Sequence, residues 1–106
     1  MPASSSKTPD SVTVRVQIYG LLRLLLEGRE ALELPWQEGD TVRSALEKFQ
    51  GALPVSVKER LIDAGGALHQ GTIILVNRRN ILHLDGLGTH LRDGDVLALF
   101  PPGAGG

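Results

Sequence analysis

Hydrophobic and polar positions along this chain repeat with two different periods. In SVTVRVQIYG, Val12, Val14, Val16 and Ile18 fall on one side, with Thr13, Arg15, Gln17 and Tyr19 on the other. That alternation predicts a half-buried strand. REALELP alternates in the same way through Leu32 and Leu34 until Pro35 stops it. The intervening LLRLLLEG is read as a loop bounded by Gly20 and Gly28, which makes the two strands a hairpin. The period then changes. In DTVRSALEKFQG, Val42, Ala45, Leu46 and Phe49 recur at helical spacing, with Asp40 or Thr41 able to cap the start and Gly51 able to close the end. PVSVKERLIDAGG is read as a second, shorter helical piece. Its Ser56 and Glu59 have capping-box spacing, and Gly65–Gly66 ends it.

Strand signals return in the last third. Ile73 to Val76 is a continuous apolar run, the pattern of a strand covered on both faces. Asn77 to Asn80 is read as a turn, ILHL (81–84) as a short strand, RDGD (92–95) as another turn, and DVLALF (95–100) as the last strand. The element order is strand, strand, helix, then three strands. The helical crossover lets the first strand pair in parallel with a later one in the same sheet. The expected fold is α+β: a ubiquitin-like β-grasp roll with one mixed sheet packed against a main helix and a short second helix. The organisation expected is a polar leader over 1–11, a domain over 12–100 and a flexible tail over 101–106.

Composition narrows the possible functions. At 106 residues the chain makes one domain, large enough to hold a core without staples. It has no cysteine, which excludes a disulfide framework, a thiolate metal site and a cysteine nucleophile, and suits a cytoplasmic protein. Eleven basic and twelve acidic residues leave a net charge of -1, so no global field points to nucleic acid or an anionic membrane. Apolar runs of five residues or fewer are too short to span a bilayer. MPASSSKTPD lacks the apolar centre of a signal peptide.

Little in the chain points to catalysis. His69, His83 and His90 are spaced by fourteen and seven, which matches no metal-ligand pattern, so no metal site is assigned. Arg78 and Arg79 sit in a turn without interleaved aromatics, and Asp93 and Asp95 are residues that a tight turn prefers. The final stretch, FPPGAGG, is different. Phe100 ends a strand, Pro101 and Pro102 form a stiff spacer, and Gly105 and Gly106 carry no Cβ. Six residues from Pro101 can extend about 20 Å. Such a segment can pass through a narrow channel and present the Gly106 carboxylate as its reactive group.

Three stretches, LVNRRNI (75–81), LRDGDVLALFPPGAGG (91–106) and, less strongly, IYGLLRLLLEGREALEL (18–34), carry a family resemblance. The chain resembles the MoaD–ThiS family: the small sulfur-carrier subunit of molybdopterin synthase and the thiamine-pathway sulfur carriers. The resemblance covers roughly residues 12 to 106. It implies a non-catalytic carrier with no stably bound cofactor. An adenylating enzyme would use ATP and magnesium to activate Gly106, a sulfur donor such as a persulfide enzyme would convert it to a thiocarboxylate, and a large synthase subunit would receive the tail. By position, Phe100 resembles the interface aromatic before the tail, and Tyr19 and Arg23 resemble partner-facing residues of the first strand and loop. NILHLDGLGTH (80–90) is longer than compact carriers require, and the serine-rich leader is additional. The pathway stays open between molybdenum or tungsten cofactor, thiamine and transfer-RNA thiolation. A ubiquitin-like modifier conjugated through Gly106, and a plain interaction module, are the competing classes.

Overall fold

The computed structural model describes residues 12–102. The expected leader (1–11) and the Gly103–Gly106 part of the expected tail, with Gly105 and Gly106, lie outside the described residues.

Strand β1 (Thr13–Ile18) carries the predicted alternation, with Val14, Val16 and Ile18 buried. Val12 lies just before the strand and is 38% exposed, so it does not join that buried row. The next element corrects the reading of LLRLLLEG as a loop. Leu21–Leu25 forms a short helix, α1, entered through Gly20. A one-turn helix has little stability of its own. It persists because Leu22, fully buried, and Leu26, 9% exposed, anchor one side in the core. Strand β2 (Ala31–Pro35) returns antiparallel to β1, with Val14 opposite Leu34 and Val16 opposite Leu32.

The main helix, α2 (Val42–Gly51), buries Val42, Ala45, Leu46 and Phe49 on one stripe. Thr41 is its cap. The Ser44 amide donates to Thr41 Oγ1 at 3.2 Å, while the Thr41 amide donates to Ser44 Oγ at 2.8 Å. Asp40 does not cap the helix but organises the entrance to it. One of its oxygens accepts from Ser44 Oγ at 2.9 Å; the other accepts from the Gln37 amide at 2.9 Å and from Lys48 Nζ at 2.5 Å. Lys48 also donates to the carbonyl of Pro35, which blunts the open edge of β2.

The region read as a second helix contains only one 3₁₀ turn, Lys58–Arg60, and Ser56 does not cap it. Gln50 replaces the expected cap. Its side-chain oxygen accepts from the amides of Val57 and Lys58 at 2.7 and 2.8 Å, so α2 itself satisfies the donors of the next segment. Strands β3 (Ile73–Val76) and β4 (Arg79–Asn80) form a tight hairpin around Asn77 and Arg78. Part of the expected turn is therefore strand. Conversely, ILHL is not a strand: Ile81–His83 is a 3₁₀ turn, because the Asn80 side chain accepts from the Leu82 amide and bends the chain away from the sheet. The last strand is β5 (Val96–Phe100).

The five strands lie in the order β2-β1-β5-β3-β4, with β1 and β5 parallel and the other pairs antiparallel. The inner face of the sheet, through Ile18, Ile74, Leu97 and Leu99, packs into one core with Leu46 and Phe49 of α2 and with Leu61 and Ile81. The reading of Ile73–Val76 as covered on both faces is corrected here. Ile74 and Val76 are buried, but Ile73 is 44% exposed and Leu75 half-buried. The fold is a β-grasp.

Asp40 supplies a pH test of this scaffold. Burial raises its pKa, but the Lys48 ammonium, the Gln37 amide and the Ser44 hydroxyl together outweigh burial and hold it below the ordinary value of 3.8. The folded state therefore favours the carboxylate. This stabilisation is complete well above pH 3.8 and is lost as pH falls through the lowered folded value. Asp40→Ala should cost about 1.5–3 kcal/mol at neutral pH. Thermal denaturation followed from pH 7 to pH 2 should show the deficit narrowing in acid. A deficit independent of pH would contradict this role.

Candidate functional site

Because β1 and β5 run parallel, with Ile18 opposite Leu99, the residues that follow them emerge side by side. The amide of Tyr19 donates to the carbonyl of Leu99 at 3.2 Å and extends the pairing by one step. Tyr19 and Phe100 then stack, with ring centroids 4.4 Å apart and planes within 6°. An offset aromatic pair of this kind contributes about 0.5–1.5 kcal/mol beyond its buried area. Arg23, projecting from α1, places its guanidinium carbon 5.3 Å from the Tyr19 ring centre and donates through Nε to the carbonyl of Ile18 at 3.1 Å. The structure thus brings Tyr19, Arg23 and Phe100 into one cluster. Phe100 is half-buried, which distinguishes it from the fully buried Phe49.

Pro101 and Pro102 pack on the domain before the described residues end. Gly20, at φ +63°, lies under the Pro101 ring, and a Cβ built there would sit 3.3 Å from Pro101 Cγ. A glycine is needed at Gly20 on both counts: the left-handed conformation and the close approach. Gly71 is on the other side, facing Pro102. Neither glycine was singled out in the sequence as a tail contact. The only signal available was the glycine directly after a strand in QIYG.

The chain passes between two grooves here. The first lies on the outer face of the sheet and measures about 560 Å³. Tyr19 and Phe100 form one end, Leu75, Val96 and Ala98 the floor, and Asn77 and Arg78 the far rim. The second, of about 560 Å³, lies against α1, where Leu21 and Leu25 face Pro101, Pro102, Arg60 and His69. The leucine run therefore divides. Leu22 and Leu26 enter the core, while Leu21, Leu24 and Leu25 are 43%, 73% and 37% exposed. Leu21 and Leu25 line a groove separate from the one containing Tyr19 and Phe100.

Asp93 and Asp95 have a structural task. Asp93 accepts from the Thr13 amide at 3.1 Å, and Asp95 from the Arg92 amide and from Asn77 Nδ2, each at 2.8 Å. Asn77 in turn accepts from the Val96 amide at 2.9 Å. The LVN and DGD stretches, far apart in sequence, clamp each other at the start of β5. Of the histidines, His69 places Nε2 2.8 Å from the carbonyl of Glu59. Among the described residues, no group of three or more His, Asp or Glu side chains is arranged to hold a metal ion, and no helix is long and apolar enough to cross a membrane.

A mixed five-stranded sheet grasping one main helix, with a glycine-gated proline segment leaving its central strand, defines a ubiquitin-like protein. The chain belongs to the ThiS family, whose model matches residues 16–106. It is 40% identical over 68 residues to small archaeal modifier protein 3 of Haloferax volcanii, covering 64% of this chain and 67% of that one. It is 30% identical over 97 residues to the sulfur carrier protein CysO of Mycobacterium tuberculosis, covering 90% of this chain and all of that one. Among solved structures, it superposes on one chain of the Amycolatopsis orientalis BexX/CysO complex with a TM-score of 0.72 at 28% identity, covering 88% of this chain and 99% of that chain. This is a family of ubiquitin-like sulfur carriers and modifiers.

The packing at Gly20 is testable by comparison with Gly88, which has open space around it and no left-handed backbone. Gly20→Ala should destabilise the domain by about 1–3 kcal/mol, whereas Gly88→Ala should be close to neutral. Equal melting temperatures for the two variants would show that Pro101 does not depend on Gly20.

Proposed function

We propose that this chain is a non-catalytic sulfur carrier whose reactive group is the carboxyl of Gly106. The observation that carries the reading is the route of the chain at Phe100–Pro102. An aromatic stack holds Phe100, and Gly20 and Gly71 back Pro101 and Pro102, so the last described residues are fixed on the domain. An adenylating enzyme, using ATP and magnesium, converts the carboxylate to an acyl-adenylate and releases pyrophosphate. A persulfide sulfur on the donor enzyme attacks the acyl carbon and expels AMP. Cleavage of the resulting sulfur–sulfur bond by a second thiol leaves a thiocarboxylate on the carrier and a disulfide on the donor. No step needs a side-chain thiol on the carrier, in keeping with a chain that has no cysteine. The thiocarboxylate then enters the large subunit of a synthase. The likeness of residues 91–106 to molybdopterin synthase small subunits favours a pterin precursor as the sulfur acceptor. The groove containing Tyr19 and Phe100, with Arg23 beside it, is the surface that meets these partners.

A second reading has a specific observation in its favour. The 40% identity to an archaeal modifier supports conjugation of Gly106 to lysines of target proteins. Thiamine and transfer-RNA thiolation use the same activated carboxyl and differ only in the acceptor.

Both readings require adenylation, so the first test is ATP–pyrophosphate exchange with the cognate adenylating enzyme. Deleting Gly106 should abolish exchange while leaving the melting temperature unchanged, and Gly105→Val should block it by bulk. Exchange at the wild-type rate by the deleted chain would overturn the proposal. Phe100→Ala should weaken binding to a partner by about tenfold or more, as expected for a central interface aromatic. Because Phe100 is only half-buried, the variant should remain folded. Wild-type affinity in a folded Phe100→Ala chain would remove this groove from the interface.

A further inference from the structure

We propose that Arg78, at the rim of the outer-sheet groove, is a specificity-determining residue that pairs with a carboxylate on the adenylating enzyme. This inference rests on the carrier-or-modifier reading above and extends it to a residue and a partner chemistry. Arg78 is the second residue of the two-residue β3–β4 turn, in which Val76 pairs with Arg79. Both turn residues are left-handed, Asn77 at φ 50° and Arg78 at φ 74°. Turns of this shape favour Asn followed by Gly, because glycine takes the second position without strain. Asn77 fits that preference and supplies the fastening, through its bonds to Asp95 and the Val96 amide. Arginine at 78 strains the turn without contributing to that fastening. Glu27, just after α1, is also exposed with a positive φ, 59°, so it is the place of Arg78 in the groove, together with its strain, that points to a use outside the fold.

The surroundings indicate the use. Arg78 lines the same groove as Tyr19 and Phe100, over a floor of Leu75, Val96 and Ala98. Among the described residues it forms no ion pair; the pairs present are Arg15–Glu33, Lys48–Asp40 and Lys58–Glu47. Asp95, the carboxylate that fastens this turn, is bonded to Asn77 and to the Arg92 amide and forms no ion pair with Arg78. The groove is mixed, with Gln17 among Leu75, Val96 and Ala98, and a cation without an ion-pair partner at its rim is complementary to a protein surface that brings an acidic group to that edge. Docking would exclude water from the floor and strengthen the pair. The adenylating enzyme is the partner that both readings require, and it must approach the point where the tail leaves, at the other end of this groove.

The same strain makes the inference separable from a structural role. Arg78→Gly should hold or raise the melting temperature, because glycine relaxes the turn. In ATP–pyrophosphate exchange with the cognate adenylating enzyme at low salt, the KM for Arg78→Gly should rise about three- to tenfold with kcat unchanged. The difference should shrink at high salt, Arg78→Lys should recover most of the loss, and Arg78→Glu should be worse than Arg78→Gly. Exchange by Arg78→Gly with the wild-type KM at low salt would overturn the inference alone, leaving the carrier reading intact. A raised KM that ignores salt, or that Arg78→Lys fails to restore, would also overturn it. Absence of exchange with the wild-type chain would remove the carrier reading, and this inference with it.

Discussion

Parallel pairing of β1 with β5 is the constraint on which the rest of this molecule depends. A parallel pair cannot be closed by a tight turn, so the chain between them must cross over. That crossover contains α2 and most of the core. In return, two strands from opposite ends of the domain finish side by side, and Ile18 meets Leu99. Everything at the candidate site follows from that register. Tyr19 can stack on Phe100, and Gly20 can lie beneath Pro101, only because both strands leave the sheet in the same direction. The clamp between Asn77 and Asp95 holds the opposite end of β5 in place.

The emerging segment separates two surfaces of different character. On the outer sheet face, apolar floor residues are framed by an aromatic pair and an arginine. Against α1, exposed leucines lie beside the prolines. A carrier that must be activated by one enzyme and emptied by another needs recognition on the body of the domain, since four small terminal residues offer little to distinguish. On the proposed carrier reading, the two surfaces beside one exit would meet that need without a change of fold between partners.

The main elements were legible in the sequence wherever a period was sustained. β1, β2 and α2 each bury one face, and their alternation or helical spacing records it, while β5 is apolar throughout and buries Leu97, Ala98 and Leu99 in succession. The failures fall where a side chain from elsewhere overrides local pattern. ILHL alternates like a strand, but Asn80 captures the Leu82 amide and turns it. VSVKERLI is spaced like a helix, but Gln50 takes the amides that would start one. LLRLLL carried no capping signal, and its helix exists because Leu22 and Leu26 are buried. Ile73–Val76 misled because its outer side chains, Ile73 and Leu75, are apolar although they face an open surface rather than a second buried layer. At the site, FPPGAGG was conspicuous by composition. The roles of Gly20 and Gly71 were not, because both depend on a tertiary approach of the prolines that no local pattern encodes.

The central claim is that the carboxyl end carries sulfur. The most direct measurement is the intact mass of the chain purified, without reducing agents, from cells of its own source. The account predicts a species in which one oxygen of the C-terminal carboxyl is replaced by sulfur, lost on treatment with an alkylating reagent in favour of the corresponding thioester adduct. A chain found only as the free carboxylate, or only in isopeptide linkage to lysines of other proteins, would contradict it.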